Sequence, residues 1–141
     1  MNSVKIVIAF VIFAAFTYFM LPAKQTTGPE TQSAGAALVS VVVPAALSDN
    51  AVIGQKTYEA KCAACHAANG AGQQGVAPPL IHKIYEPSHH GDEAFQRAAA
   101  LGVKSHHWPF GDMPPVEGLT RADVKMIVSY IREVQRNNGI N

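Results

Sequence analysis

An all-α fold is what this sequence predicts, a small domain of helices and loops wrapped around a cofactor. Three observations carry the expectation. Apolar residues recur at helical spacing in three stretches, no strand alternation competes after Ser48, and the long connections 67–91 and 103–119 are rich in Gly, Pro and His. With 141 residues, Lys+Arg 11 and Asp+Glu 10, the chain has the length of one domain and a nearly balanced charge.

In chain order, residues 4–21 come first, an apolar run interrupted only by Lys5 and Thr17. Such a run is a signal-peptide core or a membrane anchor, and its length falls between the two. Cleavage after Ala23 would place Leu21 where a small residue is needed, which favours an uncleaved anchor spanning 1–21. Lys5 and the amino terminus then stay on the cytoplasmic side, so the domain is expected on the periplasmic side of the bacterial inner membrane. Residues 22–47, rich in Ala, Thr, Gly, Pro and Ser with Lys24 and Glu30 as charges, read as a flexible linker. Within it, Leu38 to Val43 is either a short strand or a sticky patch. The domain proper is expected over 48–141, where nine basic residues face nine acidic ones. That balance leaves no footprint for nucleic acid, and attraction to partners must come from local patches.

The first helix is expected over about 50–65, capped by Ser48 or Asp49, with Val52, Ile53, Tyr58 and Cys62 facing inward. The second, 92–101, carries Phe95, Ala98, Ala99 and Leu101 and stops at Gly102, a residue suited to a helix C-terminus. The third is the best defined. Thr120-Arg121-Ala122-Asp123 resembles a capping box with Asp in place of Glu, and Val124, Ile127, Val128, Ile131 and Val134 repeat at helical spacing towards Gly139.

At the end of the first helix stands Cys62-Ala63-Ala64-Cys65-His66, the C-x-x-C-H pattern of covalent haem attachment. On a helical turn the two thiols lie on one side, within reach of the two vinyl groups on one porphyrin edge, and His66 follows under the iron. Competing readings ask for more than the chain has. A structural zinc site needs a second ligand pair, and the sequence holds 2 cysteines; a thioredoxin-like dithiol needs a β-α-β setting. For the other face of the iron there are 4 methionines. Met1 is the start, Met20 lies in the apolar run, and Met126 sits near the buried stripe of the last helix, where core filling accounts for it. Met113 remains, in Phe110-Gly111-Asp112-Met113-Pro114-Pro115, where Gly111 frees the loop to approach and two prolines stiffen it behind the thioether.

Over residues 50–139 the chain resembles the class I cytochrome c family. The likeness rests on an ordered set: Gly54 and Tyr58, the Cys62 to His66 motif, Pro78-Pro79-Leu80, Gly111-Asp112-Met113-Pro114, and Tyr130 in the last helix. The resemblance implies the small class I cytochrome c fold around one covalent haem c, held by Cys62 and Cys65, with His66 and Met113 as iron ligands. It also implies that Gly54 lies where the first helix crosses the last beside Tyr130. The Pro78 carbonyl would accept the His66 Nδ1 proton, and Leu80 would pack on the haem face. The implied activity is one-electron transfer by a monomer that is not an enzyme, anchored to the membrane through its N-terminal segment. Its redox partners would be a quinol-oxidising complex, a terminal oxidase or a copper reductase, docked through a small interface.

Five histidines lie outside the motif: His82, His89, His90, His106 and His107. The plain expectation is that they meet propionates, cap helices or face water, with His106-His107-Trp108 against the haem edge. Two other readings compete. One is a peroxidase-like haem enzyme with a displaceable sixth ligand, and the other a copper-handling module using the histidine loops as a second metal site. Against the second, a helix of ten residues is ~15 Å long and separates the two His-His pairs unless a loop doubles back.

Overall fold

The structure, a computed structural model, describes residues 35–141. The expected anchor at 1–21 and the first part of the expected linker lie outside the described residues. Four helices make up the domain: α1 (Asp49–Lys61), α2 (Ala63–His66), α3 (Asp92–Leu101) and α4 (Arg121–Asn137), with 3-10 turns at Ala68–Gly70 and Lys83–Tyr85. Among the described residues, extended pairing is confined to isolated bridges, Ala37 with Gln73, Gln73 with Ala77 and Val103 with Met113.

α1 begins where Ser48, in extended conformation, accepts from the Ala51 N–H, and Asp49 adds a negative charge to the positive end of the helix dipole. The same serine ties α1 to α4, its Oγ donating to Glu133 Oε1 and its N–H to Glu133 Oε2 at 3.1 Å. The buried face is Ala51, Gly54 and Tyr58. Val52 and Ile53, expected inward, are 39% and 54% exposed. The reason is the closeness of the α1/α4 crossing: a Cβ on Gly54 would stand 1.9 Å from the Met126 carbonyl oxygen. A contact that tight selects the smallest residues for the buried stripe, and the β-branched pair lies round the helix from it. Tyr58 closes the stripe, its ring 5.7 Å from that of Tyr130 and its hydroxyl donating to Ala67 O at 2.7 Å.

α4 matches its pattern. Thr120 accepts from the Asp123 N–H while the Asp123 carboxylate accepts from the Thr120 N–H, a complete capping box, and Val124, Ile127, Val128, Ile131 and Val134 are buried. Sequence periodicity missed two buried polar residues on this helix, Arg132 and Gln135. Arg132 donates to Asp92 Oδ1, to the Tyr85 and His90 carbonyls and to Gln135 Oε1, and it lies over the Phe95 ring at 5.1 Å. Gln135 donates to the Leu80 and Tyr85 carbonyls. Together they satisfy the backbone of an irregular segment that has no ladder of its own, as buried carbonyls require.

Residues 35–47, expected as the end of a flexible linker, are fastened to the domain instead. Leu38 and Val39 donate to the Ala71 carbonyl, and Gly35 and Ala36 pair with Gln74. Val42 is held through both its backbone groups by the side chains of Asn137 and Asn138, and Val41 and Leu47 pack on the core. Each apolar side chain covered in this way contributes ~1.5–3 kcal/mol when burial is complete, which explains why a segment with few charges adheres. Among the described residues, no helix is long and apolar enough to cross a membrane.

Candidate functional site

A cavity of about 650 Å³ opens between α2, α3, the start of α4 and the two long loops. Its size suits a large planar ligand. Cys62, Cys65, His66, Pro78, Leu80 and Met113 all line it, so six positions spread over some fifty residues of sequence meet at one space.

The helix breaks at Cys62, whose φ of −121° ends α1, and α2 restarts at once, with the His66 N–H donating to the Cys62 carbonyl at 2.9 Å. Burial first, and then Cys65 beside it, push the Cys62 thiol up to about 11. A nucleophilic thiol in disulfide exchange needs a depressed pKa, and Cys62 has the opposite shift. His66 is buried and donates from Nδ1 to the Pro78 carbonyl at 2.9 Å. That bond assigns the proton to Nδ1 and leaves Nε2 with a free lone pair. Burial lowers the His66 pKa and the Pro78 bond partly opposes it, so the ring is the neutral imidazole a metal needs. The Pro78 carbonyl can come so close because Gly72 (φ +73°) lacks a Cβ, which would stand 2.4 Å from Pro79 N.

Met113 is set on the wall by a reciprocal pair of backbone hydrogen bonds with Val103, each 2.9 Å. Gly102 makes this possible. At φ +75° it turns the chain out of α3, and a Cβ there would lie 2.4 Å from the Met113 carbonyl oxygen. Sequence pattern assigns Gly102 only a helix-ending role, and its position nine residues ahead of the Gly111-Asp112-Met113-Pro114 loop is the signal that it does more. Asp112 then closes the neck of the loop by accepting from Lys104 Nζ and the Ser105 N–H. Its carboxyl is held below the usual range by Lys104 first and Ser105 second. Met126 is not among the cavity residues.

Trp108 also lines the cavity, stacked on Phe110 at 5.7 Å with the His82 ring edge-on at 5.2 Å. Its Nε1–H is buried with no acceptor at hydrogen-bonding geometry. The nearby Tyr85 hydroxyl, pushed up to about 12 by burial, feels the indole N–H as an opposing influence but is not aligned to accept it. A buried donor left unmade costs ~1–3 kcal/mol. The cavity wall is largely apolar, which suits a porphyrin. His82 stands apart from the cavity, accepting from the Ile84 N–H through Nδ1 as a cap. His90, His106 and His107 lie on the cavity's rim, and the loop carrying the latter two does double back towards His89 and His90.

A family model described as Cytochrome c matches residues 51–135, more than half of the chain. Over 55 residues the chain is 64% identical to thiosulfate dehydrogenase of Thiomonas intermedia (strain K12). That likeness covers 36% of this chain and 15% of the relative, so only a small part of that protein corresponds to this one.

Proposed function

This chain belongs to the cytochrome c family and binds haem c covalently, and from that premise we propose a one-electron carrier in which Cys62 and Cys65 form the thioethers and His66 and Met113 are the iron ligands. The observation that carries the reading is the convergence of these four side chains on one cavity, with the His66 tautomer already assigned by Pro78. When bound, the haem supplies an iron that alternates between ferric and ferrous states.

The chain's own residues do the rest. Pro78 holds the His66 ring in place and raises its basicity as a ligand. A thioether at Met113 favours the reduced state over a second imidazole, and the Val103 pairing keeps it at the wall. With His66 and Met113 both committed to it, the bound group would keep no open position for substrate and would supply one-electron exchange with redox protein partners that dock briefly. A quinol-oxidising complex, a terminal oxidase or a copper reductase would suit. The apolar run at 4–21 supports tethering to the periplasmic side of the inner membrane, tested by membrane fractionation of the full chain. The carrier reading is tested by the oxidised spectrum and a redox titration of the holoprotein. A low-spin spectrum with the weak near-infrared band of thioether ligation, and no cyanide binding at low concentration, is expected. A high-spin spectrum with ready anion binding overturns it in favour of an enzyme.

The likeness to thiosulfate dehydrogenase favours a second reading, a haem domain serving thiosulfate oxidation. Catalytic reduction of the ferric holoprotein by thiosulfate alone would establish it, and reduction only in the presence of a separate redox protein would leave the carrier reading in place.

A further inference from the structure

We propose that His89, His90 and His107 form a binding site for one divalent transition-metal ion, Cu(II) in first preference and Zn(II) in second, on the rim of the haem cavity. The site is separate from the iron ligands and stands whether or not the carrier reading holds.

The geometry comes from two loops far apart in sequence. One ligand atom from each of the three histidines lies within 4.8 Å of the others. His89 Nε2 and His107 Nε2 are 3.4 Å apart. Two nitrogens bound at ~2.0–2.1 Å across a tetrahedral angle stand ~3.3–3.4 Å apart, so this pair is already at the spacing an ion requires. His90 is the rigid member. Its Nδ1 donates to the Ile84 carbonyl at 2.6 Å, which leaves Nε2 as the free donor and fixes the ring, the arrangement typical of metal-bound histidine. Its own carbonyl is gripped by the buried Arg132 guanidinium, so this ligand is anchored to α4. His107 rides on the loop whose neck is closed by the Val103/Met113 bridge and the Lys104–Asp112 pair.

His106 is near enough to assist. Its ring is 4.2 Å from that of His107, and its Nδ1 donates to the Lys104 carbonyl at 2.7 Å, which again leaves Nε2 free. No carboxylate belongs to the group, and Glu86, Asp92 and Asp112 are engaged with Ser88, Arg132 and Lys104. A donor set made only of imidazole excludes the hard ions Ca(II) and Mg(II), and among first-row ions the affinity order peaks at Cu(II). His107 is held below the ordinary histidine pKa by desolvation first and by its three imidazole neighbours next.

His90, His106 and His107 also line the cavity. An ion among them adds positive charge beside the haem, which stabilises the reduced, less positive form and raises its midpoint potential.

The test uses the haem-loaded protein stripped with a chelator, titrated calorimetrically with Cu(II) and separately with Zn(II), with paramagnetic resonance of the copper form. One equivalent of each should bind, Cu(II) the tighter, with nitrogen hyperfine structure in the copper spectrum. His107→Gln should weaken binding at least ~tenfold while the haem spectrum, the check on folding, stays unchanged. His82→Asn should leave binding intact. Redox-inert Zn(II) should raise the haem midpoint in the parent protein and not in His107→Gln. Absence of stoichiometric binding, or binding that survives in a His89→Gln/His107→Gln double variant, overturns the site. Stoichiometric binding without a midpoint shift overturns its placement at the cavity rim.

Discussion

Replacing Met113 with Ala removes a thioether from a position whose backbone is pinned by two hydrogen bonds to Val103, so the loop keeps its path and the side chain alone is lost. The variant should retain covalent haem, lose the near-infrared band and bind cyanide or carbon monoxide; an unchanged spectrum would give the role to a rim histidine. Gly102→Ala acts on the same ligand from behind. The added methyl group, 2.4 Å from the Met113 carbonyl oxygen at a φ of +75°, forces the bridge apart, so the same spectral loss is expected although no ligand atom is removed. Helical circular dichroism should stay close to that of the parent. That Cys62, Cys65, His66 and Met113 belong together at one cavity was readable in the sequence, because the proposed covalent attachment and iron ligation restrict residue type and spacing. Gly102 and Gly72 were not, since the atoms that exclude their side chains come from remote parts of the chain. The same holds for Trp108, whose unmatched N–H is visible only once its surroundings are assembled.

At the scale of the element, the α1/α4 crossing and the α4 start carry the testable consequences. Gly54→Ala would place a Cβ 1.9 Å from the Met126 oxygen, and parting two packed helices by enough to admit it should cost ~2–3 kcal/mol, read as a lower urea midpoint with unchanged slope. Thr120→Ala removes the cap on α4 and should cost ~1 kcal/mol. That cap is also pH-dependent. The side-chain hydroxyl and then the backbone N–H of Thr120 hold the Asp123 carboxyl below its usual value. Its folded pKa is depressed, so the contribution is complete above the ordinary carboxylate pKa and disappears as pH falls through the folded value. Urea midpoints of the parent and Thr120→Ala should therefore converge in acid. The extent and the apolar face of α4 were legible because Val124, Ile127, Val128, Ile131 and Val134 repeat at helical period; buried Arg132 and Gln135 were not, because their partners are carbonyls of an irregular segment remote in sequence. α1 was legible at its start but not in its break at Cys62, and its orientation was legible only at Tyr58. Hydrophobicity pointed to Val52 and Ile53, whereas the crossing selects for smallness, a property that apolar patterning does not rank.

Over the whole molecule, the cavity governs. A cavity of about 650 Å³ that no haem fills leaves its apolar lining in water, forfeiting burial at ~25 cal/mol per Å² in a domain with little core to spare. A Cys62→Ala/Cys65→Ala chain made without haem should therefore lack a cooperative unfolding transition by circular dichroism; a sharp one would refute the view that the haem completes the core. The all-α architecture followed from the sequence, but the attachment of residues 35–47 did not, because their partners, the Ala71 and Gln74 backbone and the side chains of Asn137 and Asn138, come from remote parts of the chain. The Gly54/Met126 crossing also sets a schedule. A ribosome adding 5–20 residues per second needs roughly 4–14 s to make the chain between those two positions. Throughout that interval α1 has nothing to close upon, since a single helix of this length does not hold itself. Cys62, Cys65 and His66 thus remain in an open, pliable segment until the last helix emerges, and a porphyrin would meet an accessible strand of peptide, with closure of the domain reserved for the end of synthesis.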